Sequence, residues 1–236
     1  MGSGECAISG DRSALVIVQI YGVMTPADGS MVAALGADQI GVVVGEGGSA
    51  WDEVGFETAS RIFDAIGARA AKVALSLSGE SDEIEALVRS VRFDLLHLGA
   101  GPDRVRPEDV ARLKERHPGL RVIRTIPVVG PEAIQTARDF QGVADYLLLD
   151  SRDPATRSIG ATGRPHDWSL SARIAAAVRA PVILAGGLSP ENVRDAIRTV
   201  RPWGVDSNTL TSRADDRLRK DPLRVRRFIE VAHGPL

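Results

Sequence analysis

The chain has 236 residues, of which 25% are charged and 44% hydrophobic, with a formal net charge of −2. That balance offers no basic face to nucleic acid or an anionic membrane, and no apolar run approaches the roughly 18 residues of a membrane span. A single cysteine, Cys6, excludes an internal disulfide framework and a cysteine-built metal site. The N-terminus lacks the basic and apolar regions of a secretion signal, so a cytoplasmic protein is expected. Lysine occurs only at Lys72, Lys114 and Lys220, which leaves few candidates for Schiff-base chemistry.

In chain order, the polar start Met1–Arg12 reads as a flexible segment. Ala14–Ile20 then forms a β-branched run, and Thr25-Pro26 opens a helix with proline at its first position. Gln39–Val44 is the second strand, followed by the glycine-rich loop Gly45–Ser49 and the amphipathic segment Phe56–Ile66. Ala71–Leu77 precedes a helix opened by Ser81-Asp82-Glu83, where a capping residue and early acidic charge coincide. Leu95–Leu98, a helix over Pro107–Arg116, Val122–Ile126 and a helix start at Gly130-Pro131 continue the alternation. Tyr146–Leu149, Ser169–Val178, Pro181–Ala185, a start at Ser189-Pro190, Gly204–Asp206 and a helix over Asp221–His233 complete it. Several strand runs are apolar throughout, as strands covered on both faces are. Alternating β and α elements imply a parallel sheet. Eight such units with no dinucleotide fingerprint after the first strand predict an α/β fold, a single (β/α)8 TIM barrel forming one domain over 1–236.

In this architecture the site lies at the C-terminal ends of the strands. That rule selects Gln19 and Tyr21, Glu46, Ser76 and Ser78, His97, Arg124, Asp150, Gly186-Gly187, and Asp206 to Thr209. Gln19 and Tyr21, two residues apart, share one strand face. Gly186-Gly187 before the Ser189-Pro190 helix start reads as a phosphate or anion cradle, with close backbone approach and a positive helix end. No His, Cys or carboxylate groups stand at metal-ligand spacing, and no serine sits in a nucleophile elbow. Neither a metal nor a cofactor is expected. The partner is a small anionic molecule, not nucleic acid or membrane, and the assembly a monomer or homodimer.

Several segments resemble one family, the phosphoribosylanthranilate isomerases. ILAGGLSPENV (183–193) and AIRTVRPWGVD (196–206) are similar to its seventh strand and the run into its last. YLLLDS (146–151), GATG (160–163) and the Asp167-Trp168 pair resemble its sixth strand and the loop after it, and KDPLRVRRFIE (220–230) its final helix. VQIYGVMTPAD (18–28) and LGADQIGVVV (35–44) match the frame of its opening. The resemblance implies an Amadori rearrangement of a phosphoribosylated aromatic amine, related to tryptophan biosynthesis. A general acid opens the sugar ring and a general base takes the proton from the second sugar carbon. It implies Asp150 as the acid. It also implies Gly160, Thr162, Gly163, Gly186, Gly187, Asp206, Asn208 and Thr209 as the phosphate or anion side; Gln19, Arg124, His97 and Glu46, from their places at strand ends, are the candidate substrate contacts.

The family's base, a cysteine, is matched here by Tyr21, and its nearby lysine by Gln19. A phenol with a pKa near 10 ionises far less readily than a thiol near 8.5. Tyr21 is therefore open between base, acid, ligand hydrogen bond and a plug in the site. Loop 45–54 lacks the family's carboxylate-binding arginine and carries Glu46, Asp52 and Glu53 instead. His97 is offset by one residue from the family's histidine, and Trp51 is a candidate for stacking on an aromatic ligand. The expectation is an isomerase-like acid/base enzyme on a phosphorylated or anionic sugar-derived metabolite, inefficient on phosphoribosylanthranilate itself. A non-catalytic ligand-binding or scaffolding barrel and a lyase or aldolase are the alternatives.

Overall fold

The computed structural model describes residues 16–48, 50–151 and 167–235. Its elements alternate β1 (Ile17–Ile20), α1 (Pro26–Ala34), β2 (Gln39–Val44), the two-residue β3 (Glu53–Val54), α2 (Phe56–Ile66), β4 (Ala71–Ser76), α3 (Ser81–Ser90), β5 (Leu95–Leu98) and α4 (Pro107–Arg116). They continue β6 (Val122–Pro127), α5 (Ala133–Phe140), β7 (Tyr146–Asp150), α6 (Trp168–Ala177), β8 (Val182–Leu184), α7 (Val193–Val200), β9 (Gly204–Ser207) and α8 (Pro222–His233). Every strand pairing is parallel, and β1 bonds both β9 and β2, so the sheet closes into a barrel of eight strands. β3, which the apolar pattern did not announce, only extends the edge of β2 above the barrel.

Closure divides the apolar residues into two cores. A large outer core lies between strands and helices. A small inner one holds Tyr21, Val73, Leu95, Ile123, Leu148, Ile183 and Ala185. Strand side chains alternate faces, so these inner residues fix which parity of each strand points to the axis. Both faces are dry, which is why the runs read as continuous apolar stretches rather than as alternation.

Helix starts follow local capping chemistry. Thr25 accepts a hydrogen bond from the Asp28 amide with Pro26 beside it, and Asp221 caps α8 through the Leu223 and Arg224 amides. Ser81 is already inside α3, whose cap position is Glu80, with no side-chain cap bond. At Pro131 and Pro190 the expected starts give short turns instead. The Ala133 amide bonds Gly130 and the Asn192 amide bonds Ser189, and the α-helices begin only at Ala133 and Val193. Among the described residues no helix is long and apolar enough to cross a membrane.

Candidate active site

Strand parity decides which polar residues reach the barrel interior. Tyr146 and Leu148 face inward on β7, so Asp150 at its end does too. On β9, Val205 belongs to the outer core, so Asp206 faces inward. The register Leu149–Leu184–Val205 carries Asp150, Ala185 and Asp206 along one row, and Asp150 is near enough to raise the proton affinity of Asp206. β1 continues that row, pairing Gln19 with Asp206. The Gln19 Nε2 donates to Asp206 Oδ1 at 3.2 Å, while Gln19 Oε1 is buried with no partner among the described residues.

Asp150 keeps some exposed area at the rim, yet burial pushes its carboxyl up to about 7, against hydrogen bonds from Ser151. Burial raises Asp206 to about 8; the Gln19 hydrogen bond opposes this, nearby Asp150 adds to it, and Lys220 opposes it. Lys220 arrives from the loop between β9 and α8, and it is 2% exposed. Its Nζ donates to the Asn208 backbone oxygen at 2.9 Å, to Asn208 Oδ1 at 3.2 Å and to Ser212 Oγ at 3.0 Å. Burial lowers Lys220 to about 8, while Asp206, Asp52 and Asp28 hold it up. Asn208 in turn donates to Asp52 Oδ2 at 3.0 Å, joining the last loop to the one after β2. A Cβ on Gly22 would lie 2.1 Å from Asn208 Oδ1, and its φ of +70° is a second reason for glycine there.

A second buried polar chain crosses the barrel from β1. The Tyr21 hydroxyl lies 2.6 Å from His97 Nδ1, and His97 Nε2 lies 2.6 Å from Thr125 Oγ1. Burial, then Asp206 and Asp52, pushes the Tyr21 phenol well above its usual range. Burial, then Arg124, pulls His97 down to about 3. Both groups are therefore neutral, and one tautomer of His97 satisfies both contacts by accepting from one hydroxyl and donating to the other. The Tyr21 ring lies against Gly41 of β2, where a Cβ would come within 2.2 Å of it.

The structure brings Gln19, Tyr21, His97, Asp150 and Asp206 to the inside of the barrel. It does not bring Arg124 there. Ile123 takes the inward parity, and Arg124, fully buried, faces the helices. It donates to the Leu98 oxygen at 2.7 Å and the Val105 oxygen at 3.2 Å, and its guanidinium lies 4.7 Å from the Phe140 ring centre. As a substrate contact Arg124 is thus corrected to a support of the helix layer. Glu46 is also drawn away, accepting from the Phe56 amide at 2.7 Å and closing the start of α2.

Gly186 and Gly187, at φ +84° and +68°, make the turn after β8. Asn192 pins it by donating to the Gly187 oxygen at 2.9 Å. Thr209 starts the short 3-10 turn Thr209–Thr211 after Asn208. Gly160, Thr162 and Gly163 lie outside the described residues. At the rim, the Arg217 guanidinium lies 4.5 Å above the Trp51 ring, joining the loops after β9 and β2.

Sequence reasoning missed Lys220, Asp52 and Thr125 as members of these networks. Lys220 left a trace as one of three lysines. Gly41, a lone glycine inside an apolar strand, was a signal of close approach.

A family model described as N-(5'phosphoribosyl)anthranilate (PRA) isomerase matches residues 52–230. The N-(5'-phosphoribosyl)anthranilate isomerase 2 of Methanosarcina mazei is 33% identical over 215 residues, 91% of this chain and 93% of that protein. The dimeric isomerase of Thermotoga maritima, solved as generated monomers, superposes with a TM-score of 0.76 at 25% identity, covering 92% of this chain and 98% of that one. An isomerase solved in complex with reduced 1-(o-carboxyphenylamino)-1-deoxyribulose 5-phosphate superposes at 0.72 with 25% identity and the same coverage. The barrel, the order of its elements and these matches agree: the chain belongs to the N-(5'-phosphoribosyl)anthranilate isomerase family.

Proposed function

We propose that this chain catalyses the rearrangement for which its family is named, converting a phosphoribosylated aromatic amine into its open-chain ketose isomer. The observation that carries the reading is Asp150, an inward carboxyl at a barrel strand end whose proton burial holds to about 7. An acid that keeps its proton near neutral pH suits protonation of the sugar ring oxygen. The relatives named above are isomerases, which supports turnover of phosphoribosylanthranilate itself. The expectation of poor turnover has no support among them, and neither does a lyase, an aldolase or a scaffold.

The ligand in the related complex carries an aromatic ring, a carboxylate, an amine, an open-chain sugar and a phosphate. The turn at Gly186-Gly187, with Asn208 and Thr209 after the neighbouring β9, suits the phosphate, because glycine lets backbone N–H groups approach an anion. Gly160, Thr162 and Gly163 stay with that side in this reading. The Trp51–Arg217 pair suits the aromatic carboxylate, offering a face for the ring and a guanidinium for the charge. The test is growth without tryptophan of a strain lacking the isomerase. The wild-type chain should restore growth and Asp150→Asn should not; failure of the wild-type chain, expressed and folded, would overturn the proposal.

A further inference from the structure

Ring opening needs an acid, but the rearrangement also needs a base. The phenol at the end of β1 is neutral, buried and held by His97. The other inward carboxyl, Asp206, lies on the same row as Asp150, two strands away. We propose that Asp206 is the base that removes the proton from the second sugar carbon, with Gln19 as its positioning residue. This rests on the isomerase reading above.

Every group facing Asp206 fits that task. Gln19 on β1 donates an amide hydrogen bond to Oδ1, which favours the ionised form. Lys220, from the loop before α8, adds positive charge nearby. Asp150 on β7 repels a second negative charge, so the pair passes through a one-proton form between about 7 and about 8. Tyr21 at the end of β1 stays uncharged. The working form has the proton on Asp150 and the charge on Asp206; it is the minority arrangement of the pair, because burial holds the Asp206 proton to about 8 and the Asp150 proton to about 7, and the hydrogen bond and the cation keep it within reach.

The proton count closes. The Asp150 carboxyl gives its proton to the ring oxygen as the bond from the first sugar carbon to that oxygen breaks, and the nitrogen lone pair forms a C=N bond. Asp206 takes the proton from the second carbon. That C–H pair becomes a C=C bond, and the C=N pair returns to nitrogen. The resulting enol becomes the ketone when its hydroxyl loses a proton and the first carbon gains one, so the product is an isomer. Asp206 now holds the proton and Asp150 is ionised, and one proton passed across the row restores the start.

The test is steady-state turnover of phosphoribosylanthranilate by wild type, Asp206→Asn and Gln19→Leu, with affinity for the reduced product analogue as the check on folding. Asp206→Asn should lower kcat by about 10²–10⁴-fold, the usual cost of a lost general base, with analogue affinity within about threefold. The wild-type profile of kcat/KM against pH should be a bell spanning about 7 to about 8, its lower limb set by Asp150 and its upper limb by Asp206, because the working form holds one proton on the pair. Gln19→Leu should lower the plateau and move the falling limb to higher pH, because the donor that favours the ionised Asp206 is gone. A purely structural Gln19 would leave that limb in place. Turnover that survives Asp206→Asn within tenfold of wild type, or an unmoved falling limb in Gln19→Leu, would overturn this assignment and leave the isomerase reading standing. Absence of wild-type turnover would overturn both.

Discussion

The β7–β9–β1 wall and the chain that crosses from β1 to β5 and β6 both bury polar side chains inside one barrel, and burial treats them by one rule. Removing water disfavours the charged form of each group. For the carboxyls Asp150 and Asp206 this raises the proton affinity to about 7 and about 8, into the range where a group gives and takes protons at neutral pH. For Tyr21 and His97 the same cost takes the group out of that range. The phenol rises beyond reach and the imidazole falls to about 3, so both are fixed as neutral hydrogen-bonding groups. One wall gains chemistry from its burial and the other gains rigidity.

The most direct way to break this contrast is at Asp150. Asparagine keeps the shape and removes the proton, so Asp150→Asn should lower kcat by about 10²–10⁴-fold with little change in thermal stability. A variant within tenfold of wild type would erase the distinction between the two walls. Gly41→Ala attacks the rigid wall. The new Cβ would sit 2.2 Å from the Tyr21 ring, and overpacking of a dry interior costs about 3 kcal/mol. Denaturant unfolding should show that loss in wild type and a much smaller one in a Tyr21→Ala background. Equal losses in both would mean that Tyr21 does not press on β2. Tyr21→Phe is milder. It leaves a His97 nitrogen unpaired at about 1 kcal/mol or somewhat more, and kcat should stay within about tenfold because no base is lost. A loss matching that of Asp206→Asn would make the phenol a proton carrier after all.

Much of the working wall was legible in the sequence. Asp150 and Asp206 each end an apolar run, and the barrel rule sends strand ends to the mouth. The helices over Phe56–Ile66 and Pro107–Arg116 have the bounds that their apolar spacing implies. Strand parity was not legible. In VIRTIP (122–127) apolar residues occupy both faces, because helices cover one side and the barrel interior the other, so nothing local says which way Arg124 turns. The pairing of Ile123 with inward residues of neighbouring strands decides it, and that is a property of the closed sheet. Lys220 was hidden for a related reason. Its burial depends on Asn208 and Ser212 folding back over it, and the chain signals that only by distant residues.

The contrast also has an outer edge, where exposure rather than burial sets the scale. Arg217 over Trp51 spans the two loops that flank the proposed aromatic end of the substrate. Both residues keep contact with solvent, so the pair is worth about 0.5–1 kcal/mol, far less than a buried carboxyl. Arg217→Gln should therefore raise KM by about two- to fivefold, the factor equivalent to that energy, and leave kcat and its pH profile unchanged. Arg217→Lys keeps the charge but loses the flat guanidinium that stacks on the indole, so it should recover only part of the affinity. An unchanged KM in both variants would place the carboxylate elsewhere on the rim. A fall in kcat would tie the edge to the proton chemistry, because losing a group that holds substrate and transition state equally leaves kcat unchanged.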